Sequence, residues 1–187
     1  MSAIMIGTVL GVGIAHAYTH SLLAPWGSDY QTCTYKVQNT FGSLTKSQFA
    51  DAMNHWNAQL TKSFLFKSSV DTQDTQASWN GVKTVTKYNY GAGFVARNIA
   101  YHPWLYSYTV ESDIEFNTYY PFANSGLAGY YDVQSVMTHE LGHTLSVNHS
   151  TNAIDRMYPD SFTGVERRVT TSDDRTAARD STARWFN

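Results

Sequence analysis

THELGHTLSVNHS, residues 138–150, sets three histidines and a glutamate at intervals that one metal ion can satisfy. His139 and His143 are four positions apart, so on a helix they stand one turn above the other on a single face, and both imidazoles can reach the same ion. Glu140 follows the first histidine and leans toward that side, close enough to touch a water on the metal without being a ligand. His149 is too far along to continue the helical face. It can join the site only if the helix stops and the chain turns back. Three histidines with an open fourth position form a catalytic rather than a structural zinc pattern, because the open position is where water or substrate binds.

An HExxH pattern can also arise by chance on an ordinary amphipathic helix. Against that stands the flanking sequence. Asp132 is a plausible N-cap, and Val133, Met137, Leu141 and Leu145 recur every four residues on the side roughly opposite the histidines. One face of this helix seeks a core while the other presents ligands.

The chain has 187 residues, which suits one domain with one core and leaves two domains crowded. A net charge of −2 and the lack of a basic run argue against nucleic acid or an anionic membrane as partner. The single cysteine, Cys33, can form no internal disulfide. Its place in an apolar-alternating run suggests a small buried side chain. Ala3 to Ala15 is apolar and ends in Ala15-His16-Ala17, a small-x-small pattern that permits cleavage before Tyr18, although no Lys or Arg precedes it. Residues 1–17 are thus expected to be a signal peptide too short to span a membrane, and 18–187 a secreted, monomeric domain.

Along the rest of the chain, helical and strand periodicities alternate in an α+β order. Phe49, Met53, Trp56 and Leu60 sit at helical spacing behind a Thr45/Gln48 capping-box signature, predicting a long first helix with an aromatic core stripe. Phe64–Phe66, Val82–Tyr88, Phe94–Tyr101 and Asp113–Asn117 are rich in aromatic and β-branched residues and read as strands of one sheet. Ser172–Trp185 reads as a C-terminal helix with Thr171 and Asp174 as its cap. His16 and His20 lie in or next to the leader, His55 lies on the polar face of the first helix, and His102 sits in a loop with no carboxylate or histidine spaced to assist it, so all four are expected to be bystanders.

The pattern His139-Glu140-x-x-His143-x-x-Ser146-x-x-His149, with Met157-Tyr158-Pro159 behind it, resembles the metzincin zinc endopeptidases and, within them, the matrixins. Trp26 with Cys33–Val37 looks like the first matrixin strand, and Asp113–Asn117 like the strand before the active-site helix. The resemblance covers about residues 26 to 187. It implies a single domain built on a twisted, mostly parallel sheet of about five strands with one antiparallel edge strand. It further implies one catalytic Zn2+ on His139, His143 and His149, with Glu140 as general base and Met157 as the apolar base beneath the ligands. A protein or peptide substrate would pair with the edge strand Phe94–Ala100, where Ala96, Arg97 and Asn98 would meet it, with Pro159 on the opposite wall. The family's tyrosine two positions after that proline is replaced by Ser161, followed by Phe162, so cleavage preference does not carry over. The His and Asp loop that holds a second, structural zinc in animal matrixins is not visible, and Ca2+ is possible without being indicated.

One position departs from the pattern: the family has glycine where this chain has Ser146. That glycine ends the helix in a left-handed conformation which costs a residue with a side chain roughly 1–2 kcal/mol. A rival third ligand is Glu166, whose distance from HExxH would resemble a thermolysin-like arrangement. Two other function classes are a zinc-binding adhesion or interaction domain impaired by Ser146, and a zinc hydrolase of a non-peptide amide.

Overall fold

A computed structural model of the chain describes residues 26, 31–60, 64–69, 71–102, 108–160 and 162–185. The expected leader, His16, His20 and Ser161 lie outside the described residues. Strands β1 (Thr32–Val37), β2 (Leu65–Ser68), β3 (Thr84–Tyr88), β4 (Ala96–Tyr101) and β5 (Glu111–Asn117) make one sheet in the order β2-β1-β3-β5-β4. Neighbours are parallel except β4, which runs antiparallel along β5 at the sheet's edge. Parallel neighbours need a crossover, and α1 (Ser43–Gln59) supplies the one between β1 and β2. The expected five-stranded α+β domain is therefore present. A short pair, β6 (Phe122–Ala123) with β7 (Tyr131–Asp132), leads into α2 (Val133–Thr144), and α3 (Ser172–Arg184) closes the chain.

Burial follows the periodicities. In β1, Cys33, Tyr35 and Val37 point into the core while Thr32 and Thr34 are exposed. Burial pushes the Cys33 thiol up to about 12, so it stays protonated and inert. α1 buries Phe49, Ala52, Met53 and Trp56, and Trp56 donates its indole N–H to the Thr138 carbonyl of α2 at 2.8 Å.

The start of α1 differs from the expected capping box. The helix begins at Ser43 behind Gly42, with no side-chain cap, and the Thr45 hydroxyl donates instead to Asn124. Phe41 explains the early start. It is buried edge-on against Phe49 and Phe116, at 5.0 and 6.0 Å, and this pulls the chain into the helix three residues sooner.

β5 is buried on both faces. Ser112, Ile114 and Phe116 face the helices: Phe116 packs on Phe49, and Ser112 lies 3.3 Å from the Thr144 hydroxyl. The other face carries Glu111, Asp113, Glu115 and Asn117, yet all four are at most 1% exposed. Loop backbone covers them. Glu111 accepts the N–H groups of Asn80 and Gly81, Asp113 those of Ser78 and Thr84, and Glu115 that of Ala77 together with the Tyr90 hydroxyl and Arg97. Each charge is thus matched to donors, as buried carboxylates require. For Asp113, burial outweighs the pull of those donors and raises its pKa to about 6.

Candidate functional site

α2 begins as expected. Asp132 accepts the Ser135 N–H at 2.8 Å, and Arg168 holds the same carboxylate from the other side at 2.6 Å. Val133, Met137, Leu141 and the C-cap Leu145 are buried. The helix then ends in a Schellman turn: Val147 N–H bonds the Gly142 carbonyl at 3.1 Å and Ser146 N–H the His143 carbonyl at 2.8 Å. Ser146 sits at φ 60°, the only non-glycine residue with positive φ among the described residues. The strain expected at this serine is therefore real, and the turn it makes carries His149 back over the helix.

The reversal brings the three histidines together, their ligand nitrogens all within 4.8 Å of one another. His143 Nε2 is 3.1 Å from His139 Nε2 and 3.1 Å from His149 Nε2. Two nitrogens bound tetrahedrally to zinc at their usual distance lie roughly 3.3 Å apart, so the spacing fits one shared ion. The tautomers agree. His139 Nδ1 donates to the Arg156 carbonyl and His143 Nδ1 to the Val147 carbonyl, each at 2.8 Å, which leaves the Nε2 lone pairs of both rings pointing into the centre. Burial lowers the pKa of all three, His143 to about 4, so the rings are neutral and ready to ligate at neutral pH.

Glu140 is 5% exposed and faces the same cleft as the histidines. Burial pushes its carboxyl up to about 8, and a backbone N–H of Asn98 pulls the other way.

Behind the site, Met157 is fully buried, and a methyl group built on Gly142 would stand 2.2 Å from its Sδ. Gly142 is therefore the residue that lets Met157 lie directly against α2 between the two helical histidines. Sequence reasoning passed over this glycine. The signal was available, since a glycine inside a helix costs about 1 kcal/mol and implies a close approach. It also missed the second task of Asp174, which caps α3 with Thr171 and accepts the N–H groups of Arg156 and Met157 at 2.8 and 3.1 Å. The carbonyl that orients His139 is thus fixed from α3.

The edge strand β4 forms the upper wall. Asn117 N–H bonds the Val95 carbonyl, and hydrogen-bonded pairs alternate along an antiparallel ladder. The main-chain groups of Ala96, Asn98 and Ala100 therefore point away from β5, toward the free edge. The side chains of this strand are otherwise engaged. Arg97 pairs with Glu115 at 2.7 Å and lies over Phe94. Asn98 reaches inward to Ser112, Thr144 and the Glu140 carbonyl at 2.9, 2.7 and 3.2 Å. Between β4 and Pro159 runs an open cleft of about 690 Å3, with His139, Glu140, His143 and His149 on its floor.

The remaining candidates lie elsewhere. Glu166 is exposed, accepts the Gly126 N–H and pairs with Arg168 at 3.3 Å, so the structure does not bring it to the histidines. His55 is half-buried against Thr170, and His102 lies 3.4 Å from the Thr109 hydroxyl. Among the described residues, no helix is long and apolar enough to cross a membrane.

A search of curated proteins finds no match to this chain. The matrixin family, a group of metallopeptidases, matches over residues 25–180, which takes in every strand and helix of the sheet domain except the last turn of α3. With its three-histidine centre lying inside the matched region, this chain belongs to the matrixin family.

Proposed function

We propose that the chain is a zinc-dependent endopeptidase in which Glu140 is the general base. One observation carries this: three imidazole Nε2 atoms, two with their tautomer set by a backbone carbonyl, converge beside a buried carboxylate on the floor of an open cleft. Three lone pairs facing one point repel each other unless a cation lies between them, and an all-imidazole set with an open position suits catalytic zinc. When bound, zinc lowers the pKa of a coordinated water to about 7 and polarises the peptide carbonyl.

Everything else falls to the protein. Glu140 takes the water's proton and passes it to the leaving amine. The positive charge of the ion would draw the Glu140 pKa down from its raised value, toward a range useful to a base at neutral pH. Main-chain groups of Ala96, Asn98 and Ala100 at the free edge of β4 can pair with an extended substrate, while Pro159 bounds it opposite. Met157, buried against Gly142, would form the apolar base beneath the three histidines. The apolar segment ending at Ala17 supports action outside the cell, with the domain starting at Tyr18.

The test is cleavage of unfolded protein by the purified chain, with and without a zinc chelator, beside Glu140→Gln. The expected variant keeps its zinc and its melting temperature and loses several orders of magnitude in turnover, on the order of 10²–10⁴ or more. Cleavage near the original rate with normal zinc content would show that Glu140 is not the base.

A further inference from the structure

At the carboxyl end of the parallel strands the chain leaves two neighbours in opposite directions. From β1 it runs through α1 to β2, and from β3 it runs past β5 to β4. Connections that diverge in this way leave a crevice between them, which is where open sheets hold ligands. A pocket of about 310 Å3 opens at this end, walled by Phe41 beyond β1, Phe116 of β5 and Phe122 of β6. It shares no lining residue with the cleft above the histidines.

The walls are aromatic and the polar groups few. Phe116 meets Phe41 edge-on at 6.0 Å and Phe122 at 5.3 Å, so the pocket offers ring edges and faces to a further flat ring. Lys87 brings the one charge. Of the three N–H donors on its ammonium, one bonds the Thr40 carbonyl at 3.0 Å, and the charge lies 4.8 Å above the Phe41 ring. Among the described residues, no carboxylate pairs with it, and none of the pocket's lining residues is acidic. Asn124 adds a second donor. Its side-chain oxygen accepts the Thr45 hydroxyl at 3.2 Å, while its amide N–H groups have no partner among the described residues.

We infer that this pocket is a second binding site, for a small aromatic monocarboxylate, with the ring between Phe41, Phe116 and Phe122 and the carboxylate on Lys87 and Asn124. The volume is roughly twice that which holds one benzene ring, so a ring with a short acid chain fits. Apolar walls with a few convergent polar groups are the usual make-up of a small-molecule site. Here both polar groups are donors and one is charged, which selects a carboxylate over its neutral amide. Val133, the first residue of α2, also lines the pocket, so the ligand would rest against the start of the helix that carries His139 and His143. Binding here needs no metal and stands apart from the peptidase reading.

The test titrates the full-length protein with 3-phenylpropionate and with 3-phenylpropionamide, following binding by calorimetry and by NMR chemical shifts. A ligand of this size is expected to bind with Kd on the order of 0.1–1 mM. The acid should bind about tenfold more tightly than the amide, the size of one charge-assisted hydrogen bond at a half-buried ammonium. Lys87→Met, which keeps the stem over Phe41, should bring the two ligands together, and Lys87→Arg should keep the difference. Thr118→Trp, placed at the exposed rim, should abolish binding of both by filling the pocket. A carboxylate can also ligate zinc, so each titration is run on the zinc-loaded and on the zinc-free chain, and affinity at this site should be the same in both.

Equal affinity of the wild type for acid and amide would overturn the inference, whatever becomes of the variants. So would the absence of saturable binding by either ligand at 10-fold above the expected Kd. Binding that disappears with the zinc and survives in Lys87→Met would place the acid on the three histidines instead. If the chain self-associates and Thr118→Trp disperses it while 3-phenylpropionate has no effect, the pocket receives a second copy of the chain and the ligand assignment is wrong.

Discussion

Gly142→Ala puts the close approach of Met157 to α2 under direct test. Alanine is the better helix former, and in the middle of α2 the exchange would by itself stabilise the fold by about 1 kcal/mol. The added methyl, however, would stand 2.2 Å from Met157 Sδ, 2.9 Å from its Cε and 3.3 Å from Trp56 Cζ2. Ordinary contact needs well over 3 Å, so the thioether must retreat by more than 1 Å. Met157 and Trp56 are both fully buried, and Trp56 is tied to the Thr138 carbonyl, so neither has open space behind it. Overpacking of this kind costs about 1–3 kcal/mol. The balance is a net loss of about 1 kcal/mol, or a fall in Tm of about 2–4 °C for a domain of this size. The displaced methionine lies under His139 and His143, so zinc affinity should fall as well. Thermal unfolding and zinc titration of Gly142→Ala, Met157→Ala and the double variant measure both effects. Truncating Met157 removes the clash, so the double variant should be more stable than the two single losses added together. A gain of about 1 kcal/mol in Gly142→Ala, with zinc affinity unchanged, would refute the reasoning.

Three further predictions concern the same fold. Ser146→Gly removes a left-handed strain of roughly 1–2 kcal/mol at φ 60° and returns about 0.4–1 kcal/mol through the unfolded chain, so a small net stabilisation is expected in thermal melts; a clear fall in Tm would show the serine to be unstrained. His149→Ala should weaken zinc binding by orders of magnitude and Glu166→Ala hardly at all, and the reverse ranking in equilibrium dialysis would remove His149 from the ligand set. Asp113 titrates near 6 in the fold and near its ordinary value when unfolded, so its contribution to stability is fully present below about pH 4 and is lost as pH rises through 6, roughly 3 kcal/mol at most. Denaturant titrations from pH 4 to 7 should therefore show Asp113→Asn with a flatter pH profile than the wild type, and superimposable profiles would assign the pH dependence elsewhere.

The metal centre was legible in the sequence because helical geometry is local. Four-residue spacing alone stacks His139 on His143, and Asp132, Thr171 and Asp174 announce helix starts through hydrogen bonds spanning three residues. Even the unusual conformation of Ser146 could be anticipated, from the glycine that the matrixin pattern has at that position. The expected Thr45 cap failed because a long-range contact, Phe41 on Phe116, overrode a local preference. The polar face of β5 was equally beyond local reach. Glu111, Asp113 and Glu115 alternate with Ser112, Ile114 and Phe116 like the solvent side of a strand, and only the loop folded over them turns that side into a buried lattice of carboxylate-to-backbone bonds. Arg156 reads in sequence as one more charged residue before a methionine, and nothing within a few positions marks it as buried beside the cleft. Local spacing determined which residues could hold a metal, because covalent geometry and short-range hydrogen bonds act over one or two turns. Which charges lose their water was decided by tertiary packing alone, because desolvation depends on every segment that closes over a site, however distant along the chain.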